Sequence, residues 1–124
     1  MCPELNDRQF LCNVPHWFRI FYDTLTQREI YSQKTNAIIE TTGKSREHVC
    51  RLFKEATGET LGAYLNDLRI EHACAMLTTT YYDIIDIALE SGFENLSTFY
   101  HLFKKKMGMS PKQYRDRYSF IWLK

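Results

Sequence analysis

Apolar and polar positions alternate with helical spacing along most of the chain, and glycines interrupt the pattern at regular places. The clearest stretch is Asp83 to Tyr114, DIIDIALESGFENLSTFYHLFKKKMGMSPKQY. Ile84, Ile85, Ile87, Ala88 and Leu89 supply the apolar side of a short helix. Gly92 ends it, because glycine takes the left-handed cap conformation without steric cost. Asn95 is placed to cap the next helix by accepting a backbone N–H. In that helix Phe99, Leu102 and Phe103 fall at i, i+3 and i+4, one buried stripe. Leu96, Ser97, Tyr100, His101 and Lys104 are left facing outward. Gly108 stops it, and Ser110-Pro111 opens a further short helix, with proline tolerated in the first turn. Helix, tight turn and helix with a polar outer face is a helix-turn-helix pattern, whose second helix can enter a DNA major groove.

The pattern occurs twice. Ser45 to Tyr64, SREHVCRLFKEATGETLGAY, overlies Asn95 to Tyr114, NLSTFYHLFKKKMGMSPKQY, at an offset of 50 residues. Leu52-Phe53-Lys54 matches Leu102-Phe103-Lys104, Gly58 matches Gly108, Thr60 matches Ser110, and Tyr64 matches Tyr114. The turn glycines Gly43 and Gly92 differ by 49, so the second turn is one residue longer. An internal repeat of this length sets the architecture. The expectation is an all-α chain: two homeodomain-like helix-turn-helix units joined by a long connecting helix.

Around this frame the remaining elements come in chain order. Residues 1–15 show no clear period, are broken by Pro3 and Pro15, and read as a linker. His16 to Tyr31 predicts a helix packed on the first unit, with Trp17, Ile20, Phe21 and Leu25 on one face. His16 and Trp17 as a ligand-stacking pair is the alternative to packing. Lys34 to Thr42 predicts the first helix of unit one, with Ala37, Ile38 and Ile39 inward. Ser45 then caps the first recognition helix, Arg46 to Thr57, which buries Val49, Leu52, Phe53 and Ala56. Leu61 to Leu77 predicts the connecting helix, with Leu61, Leu65, Leu68, His72, Ala75 and Met76 near one face. Seventeen residues span roughly 26 Å, which suits two units about one DNA turn, or about 34 Å, apart. The boundaries expected are therefore 1–15 for the linker, 16–78 for the first unit with the connecting helix, and 79–124 for the second unit and its tail. The tail, Ser119 to Lys124, is apolar and reads as packing onto the helices, with a partner contact as the alternative.

The motifs GKSREHVCRLFKEATG and DIALESGFENLSTFYHLFKKKMGMSPKQYR resemble the C-terminal DNA-binding domain of AraC/XylS-type transcription regulators, across about residues 31–118. Pro15-His16-Trp17 upstream of Gly43 to Val49 is similar to the chitobiose-operon type within that family. The resemblance implies two helix-turn-helix units that bind double-stranded promoter DNA sequence-specifically. It also implies an upstream sensor domain, absent from these residues, that takes a small-molecule effector, and RNA polymerase as a partner. Arg69 matches a position the family usually fills with arginine, beside a turn that faces the DNA backbone; a salt bridge to Asp67 or Glu71 is the competing reading. Two positions depart from the family pattern. His101 stands where the second recognition helix commonly has arginine, and Cys50 where small polar residues are common.

The charge distribution changes the picture more than the total does. A net charge of +1 is little for a DNA-binding domain. Residues 1–43 carry four basic and five acidic groups, and residues 44–94 carry five and nine, whereas residues 95–124 carry seven and one. The positive field is thus concentrated on the second recognition helix and the residues C-terminal to it. A hydrophobic content of 44% with 15% aromatics excludes a disordered chain. No apolar run reaches the length of a membrane span, and no signal peptide opens the chain. Cysteines at 2, 12, 50 and 74 have no metal-binding spacing and read as reduced thiols of a cytoplasmic protein.

Base-facing candidates come from the outward positions of the two recognition helices: Arg46, Glu47, Cys50 and Arg51 in the first, Leu96, Ser97, Tyr100 and His101 in the second. Arginine reaches guanine O6 and N7 with two bonds, and a carboxylate accepts from cytosine N4. A Glu47–Arg51 surface pair is the bland alternative. Leu96 and Thr98 can offer apolar contact to thymine methyls. Phosphate-facing candidates are Ser45, Lys54, Asn95, Thr98, Lys104 and Lys105. The four histidines sit on separate elements, and Cys50 lacks an oxyanion site and an orienting third group, so no enzyme activity, cofactor or metal is expected. The rival to DNA binding is a helical protein-interaction module that keeps the fold without strong DNA affinity.

Overall fold

In the computed structural model, which describes residues 13–119, the chain is all helical among those residues. Eight helices succeed one another there: α1 His16–Thr24, α2 Arg28–Tyr31, α3 Thr35–Glu40, α4 Arg46–Thr57, α5 Leu61–Thr79, α6 Ile84–Ser91, α7 Leu96–Met107 and α8 Pro111–Tyr118. They form two helix-turn-helix units, α3–α4 and α6–α7, with the long helix α5 between them in sequence. Packing divides the chain between Leu65 and Asn66, inside α5. The first 12 residues and residues 120–124, which hold most of the expected linker and tail, lie outside the described residues.

The first unit buries Phe18, Phe21, Leu25, Ile38, Ile39, Val49, Phe53, Leu61 and Leu65. Its centre is aromatic: the Phe53 ring lies 6.1 Å from Phe18 and 5.3 Å from Tyr64, centroid to centroid. The single helix expected over His16–Tyr31 is two helices. Thr24 Oγ1 donates to the Phe21 carbonyl at 2.8 Å, a local bond that competes with helix continuation, and Gln27 is extended before α2 begins. The buried face of α1 also differs from the one expected. It is Phe18, Phe21 and Leu25, while Ile20 is 53% exposed; the i, i+3, i+7 stripe is centred on Phe18, and Ile20 points away from it.

The second unit has a continuous core of Ile70, Ala73, Leu77, Ile87, Ala88, Phe93, Phe99 and Phe103, with Ile84, Leu96, Leu102, Met107 and Tyr114 packed against it. The face expected for the connecting helix is corrected accordingly. Leu61 and Leu65 are buried in the first unit, but from Arg69 onward the buried apolar residues are Ile70, Ala73 and Leu77, and Ala75 is exposed. One stripe drawn along the whole of α5 misses that its halves serve different cores. On α6, Ile85 and Leu89 are 51% and 56% exposed. Five apolar residues in six positions wrap more than one face of a helix at 3.6 residues per turn, and only Ile87, Ala88 and the half-buried Ile84 turn inward. Arg115 of α8 closes the end of α5: Nε donates to the Leu77 carbonyl at 3.1 Å and Nη2 to the Thr80 carbonyl at 3.3 Å, meeting carbonyls a helix end leaves unpaired. Buried Arg69 donates to Asn66 Oδ1 at 3.3 Å. Burial lowers its pKa, and the Glu94 carboxylate opposes that shift.

Candidate nucleic-acid interface

The two reading helices, α4 and α7, are each 12 residues long and start and end at residues 50 apart. Ser45 Oγ accepts from the His48 N–H at 3.1 Å, and Asn95 Oδ1 accepts from the Thr98 N–H at 3.2 Å. Both caps therefore do what their residue types predict. At the other end Gly58 and Gly108 are left-handed, with φ 85° and 76°. Their N–H groups donate to the carbonyls of Lys54 and Lys104 at 2.9 and 2.8 Å. Val49 and Phe53 are buried in one helix, Phe99 and Phe103 in the other, and between them Arg51, Tyr100 and His101 are exposed.

Of the residues expected to face DNA, Ser45, Arg46, Glu47, Arg51, Lys54, Asn95, Ser97, Thr98, Tyr100, His101, Lys104 and Lys105 are exposed. Cys50 and Leu96 are half-buried. Leu96 packs partly against the second core, so its outward placement is incomplete. The exposed residues of each helix fall on one side because the buried ones occupy the other. Glu47 and Arg51 form no ion pair with each other among the described residues, and Arg51 is exposed. The lysines differ in what holds them. Lys54 Nζ donates to the Gly58 carbonyl at 3.3 Å. Lys106 Nζ lies 3.0 Å from Asp67 Oδ1.

Two contacts on the first reading helix are not foreshadowed by the sequence pattern. Arg46 Nη1 donates to Oδ1 of Asn36, from α3. Trp17 of α1 lies with its ring centroid 5.6 Å from that of His48, and Lys44 Nζ sits 5.5 Å above the Trp17 ring. Trp17 is thus a packing residue of the turn and reading helix, and the His16–Trp17 stacking pair gains no support. The only signal in the chain is positional: Asn36 lies on the outward side of α3, ten residues before Arg46. Among the described residues no group of three or more His, Cys, Asp or Glu side chains is placed to hold a metal, and no helix is long and apolar enough to cross a membrane.

A family model described as a helix-turn-helix domain matches residues 38–117, from the second half of α3 into α8. The chain belongs to the AraC/XylS-type helix-turn-helix family. It is 34% identical over 90 residues to the xylose operon regulatory protein of Escherichia coli, an alignment covering 73% of this chain and 23% of that protein. The chain thus spans about a quarter of the length of such relatives. Among solved structures, the C-terminal domain of AraT, a response regulator from Geobacillus stearothermophilus, superposes with a TM-score of 0.74 at 26% identity, covering 87% of this chain and 90% of that one. The DNA-binding domain of AdpA, solved in complex with a target DNA, shares the fold, with a TM-score of 0.69 at 23% identity over 85% of this chain and 94% of that one. AraC/XylS-type proteins are transcription regulators, and this chain carries their double helix-turn-helix domain.

Proposed function

We propose that this chain is the part of a longer bacterial regulator that binds promoter DNA, and that α4 and α7 enter two adjacent major-groove segments. The observation that carries the proposal is the pair of 12-residue helices capped at equivalent positions, each with one buried and one exposed side, 50 residues apart. Arg46, Glu47, Cys50 and Arg51 read base edges in one segment, and Leu96, Ser97, Tyr100 and His101 in the other. Ser45, Lys54, Asn95, Thr98, Lys104 and Lys105, with the two helix N-termini, hold phosphates. The two faces are unlike, so one chain favours an asymmetric site, whereas a twofold dimer would favour a palindrome.

The aligned segment is only 23% of the length of the xylose operon regulatory protein, which supports a sensor domain elsewhere in the protein that responds to a small-molecule effector. Promoter binding in the cytoplasm brings the chain beside RNA polymerase, its expected protein partner. A selection from random duplexes, followed by sedimentation of the complex, tests the reading. The expected result is an asymmetric site bound by one chain. A palindrome bound by two chains overturns the one-chain arrangement. Absence of any selected sequence supports the interaction-module alternative, which the net charge of +1 favours.

A further inference from the structure

We infer that Asn36 is a positioning residue for base reading by the first unit, acting through Arg46. The inference rests on the assignment of Arg46 to the base-reading face. Arg46 is the first residue of α4 and Asn36 lies in α3, so the bond between them crosses the helix-turn-helix turn. An exposed arginine has several rotatable bonds and a planar fork that must present two donors together to a guanine edge. Anchoring one nitrogen restricts those rotations before DNA arrives, so less freedom is lost on binding.

The turn between the two residues is itself fixed. Thr41 Oγ1 donates to the Ile38 carbonyl at 2.6 Å and Thr42 Oγ1 to the Ile39 carbonyl at 2.7 Å. The Lys44 N–H donates to Thr42 Oγ1 at 3.1 Å. Ile38, Ile39 and Val49 are buried beneath it. Asn36 therefore holds Arg46 from a frame that does not need DNA to form. The second unit has no counterpart. At the repeat offsets of 49 and 50 residues, Ile85 stands for Asn36 and Leu96 for Arg46, and neither can make the bond.

The test compares the 124-residue chain with Asn36→Ala, Asn36→Asp, Arg46→Ala and the double variant Asn36→Ala/Arg46→Ala. Affinities are measured on the selected duplex and on duplexes substituted at each base pair, alongside melting temperatures. Asn36→Ala is expected to lower the preference at the one base pair Arg46 reads by about two- to fivefold, the range of an exposed polar pair, at an unchanged melting temperature. Asn36→Asp keeps that preference, since a carboxylate accepts the same bond, while repulsion from phosphates weakens every duplex alike. The double variant loses no more preference than Arg46→Ala alone. An unchanged preference in Asn36→Ala, a loss additive with that of Arg46→Ala, or a uniform loss on all duplexes would overturn the inference. If Arg46→Ala itself changes no base preference, the assignment of Arg46 as a reader fails, and the inference falls with it for that separate reason.

Discussion

The first and second helix-turn-helix units use one backbone plan to present two chemistries. Their reading helices begin, cap and end at residues 50 apart, and in each a phenylalanine packs at a tilt or edge-on against a tyrosine of the next helix, Phe53 on Tyr64 and Phe103 on Tyr114. Outside the cores they diverge. The first face carries Arg46, Glu47 and Arg51, with Arg46 tied to Asn36 and the adjoining turn held by Trp17. The second carries Ser97, Tyr100 and His101, with three lysines in the last turn of its helix. Repetition therefore fixes where a residue sits, and the residue placed there decides whether the unit reads bases or holds phosphates. On the proposed function, the first unit discriminates more among bases and the second adds more electrostatic grip.

The equivalence of the cores carries the largest expected effect. Phe53 and Phe103 are both fully buried, and replacing a buried phenylalanine with alanine costs about 3–5 kcal/mol. Phe53→Ala and Phe103→Ala are expected to destabilise the chain by similar amounts in urea unfolding. A small loss for one beside a large loss for the other would break the equivalence.

The difference between the reading faces comes next. Arg51→Ala is expected to cost roughly 1–3 kcal/mol of binding and to relax one base position. His101→Ala is expected to cost less, because a single imidazole donor replaces a two-pronged guanidinium. A base-by-base affinity scan of both variants decides it. Equal losses at every base would mean the two faces read alike.

Much of this was legible because glycine, caps and apolar spacing are local. Gly92, Gly108, Ser45 and Asn95 act within four residues of themselves, and the stripe of Phe99 and Phe103 is set by helical period alone. What failed to show was decided across elements. Five apolar residues on α6 exceed what one face can bury, and only packing reveals that Ile87 and Ala88 are chosen over Ile85 and Leu89. The stripe along α5 switches after Leu65 because two cores claim it. The sequence placed Trp17 on a packing face and Asn36 on an outward one but named the partner of neither, since a polar or aromatic residue outside the reading helix declares no partner until the turn brings it close.

Among the lysines the expected effects are smaller and graded by their restraints. Lys104→Ala and Lys105→Ala should each weaken binding about equally on all duplexes and reduce the slope of log affinity against log salt by roughly one. Lys106→Ala should change the slope less, because Lys106 is already paired with Asp67 at 3.0 Å. Titrations between about 50 and 200 mM salt read these slopes. Affinity independent of salt would remove the electrostatic role assigned to the second unit, and a loss at a single base would make the lysine concerned a reader.

The smallest expected difference separates the units in alkali. Tyr64 packs on Phe53 and Tyr22, whereas Tyr114 shares a side-chain hydrogen bond with Cys74. Burial raises the Cys74 thiol pKa, against smaller lowering by the bond to Tyr114 and by Lys106, and burial likewise raises the Tyr114 phenol. In the unfolded chain these groups ionise near their ordinary values, about 8.5 and 10. Above those values the unfolded state has released protons that the folded state still holds, so stability must fall as pH rises. The stability is fully present below the ordinary thiol value and is lost as pH climbs through the raised folded values. Cys74→Ala removes one of the two groups and the bond between them, so its melting temperature should decline less steeply above about pH 8.5 than that of the unaltered chain. Thermal melts across this range provide the measurement. Parallel declines in the two proteins would show that the Cys74–Tyr114 pair does not set the alkaline limit of the second unit.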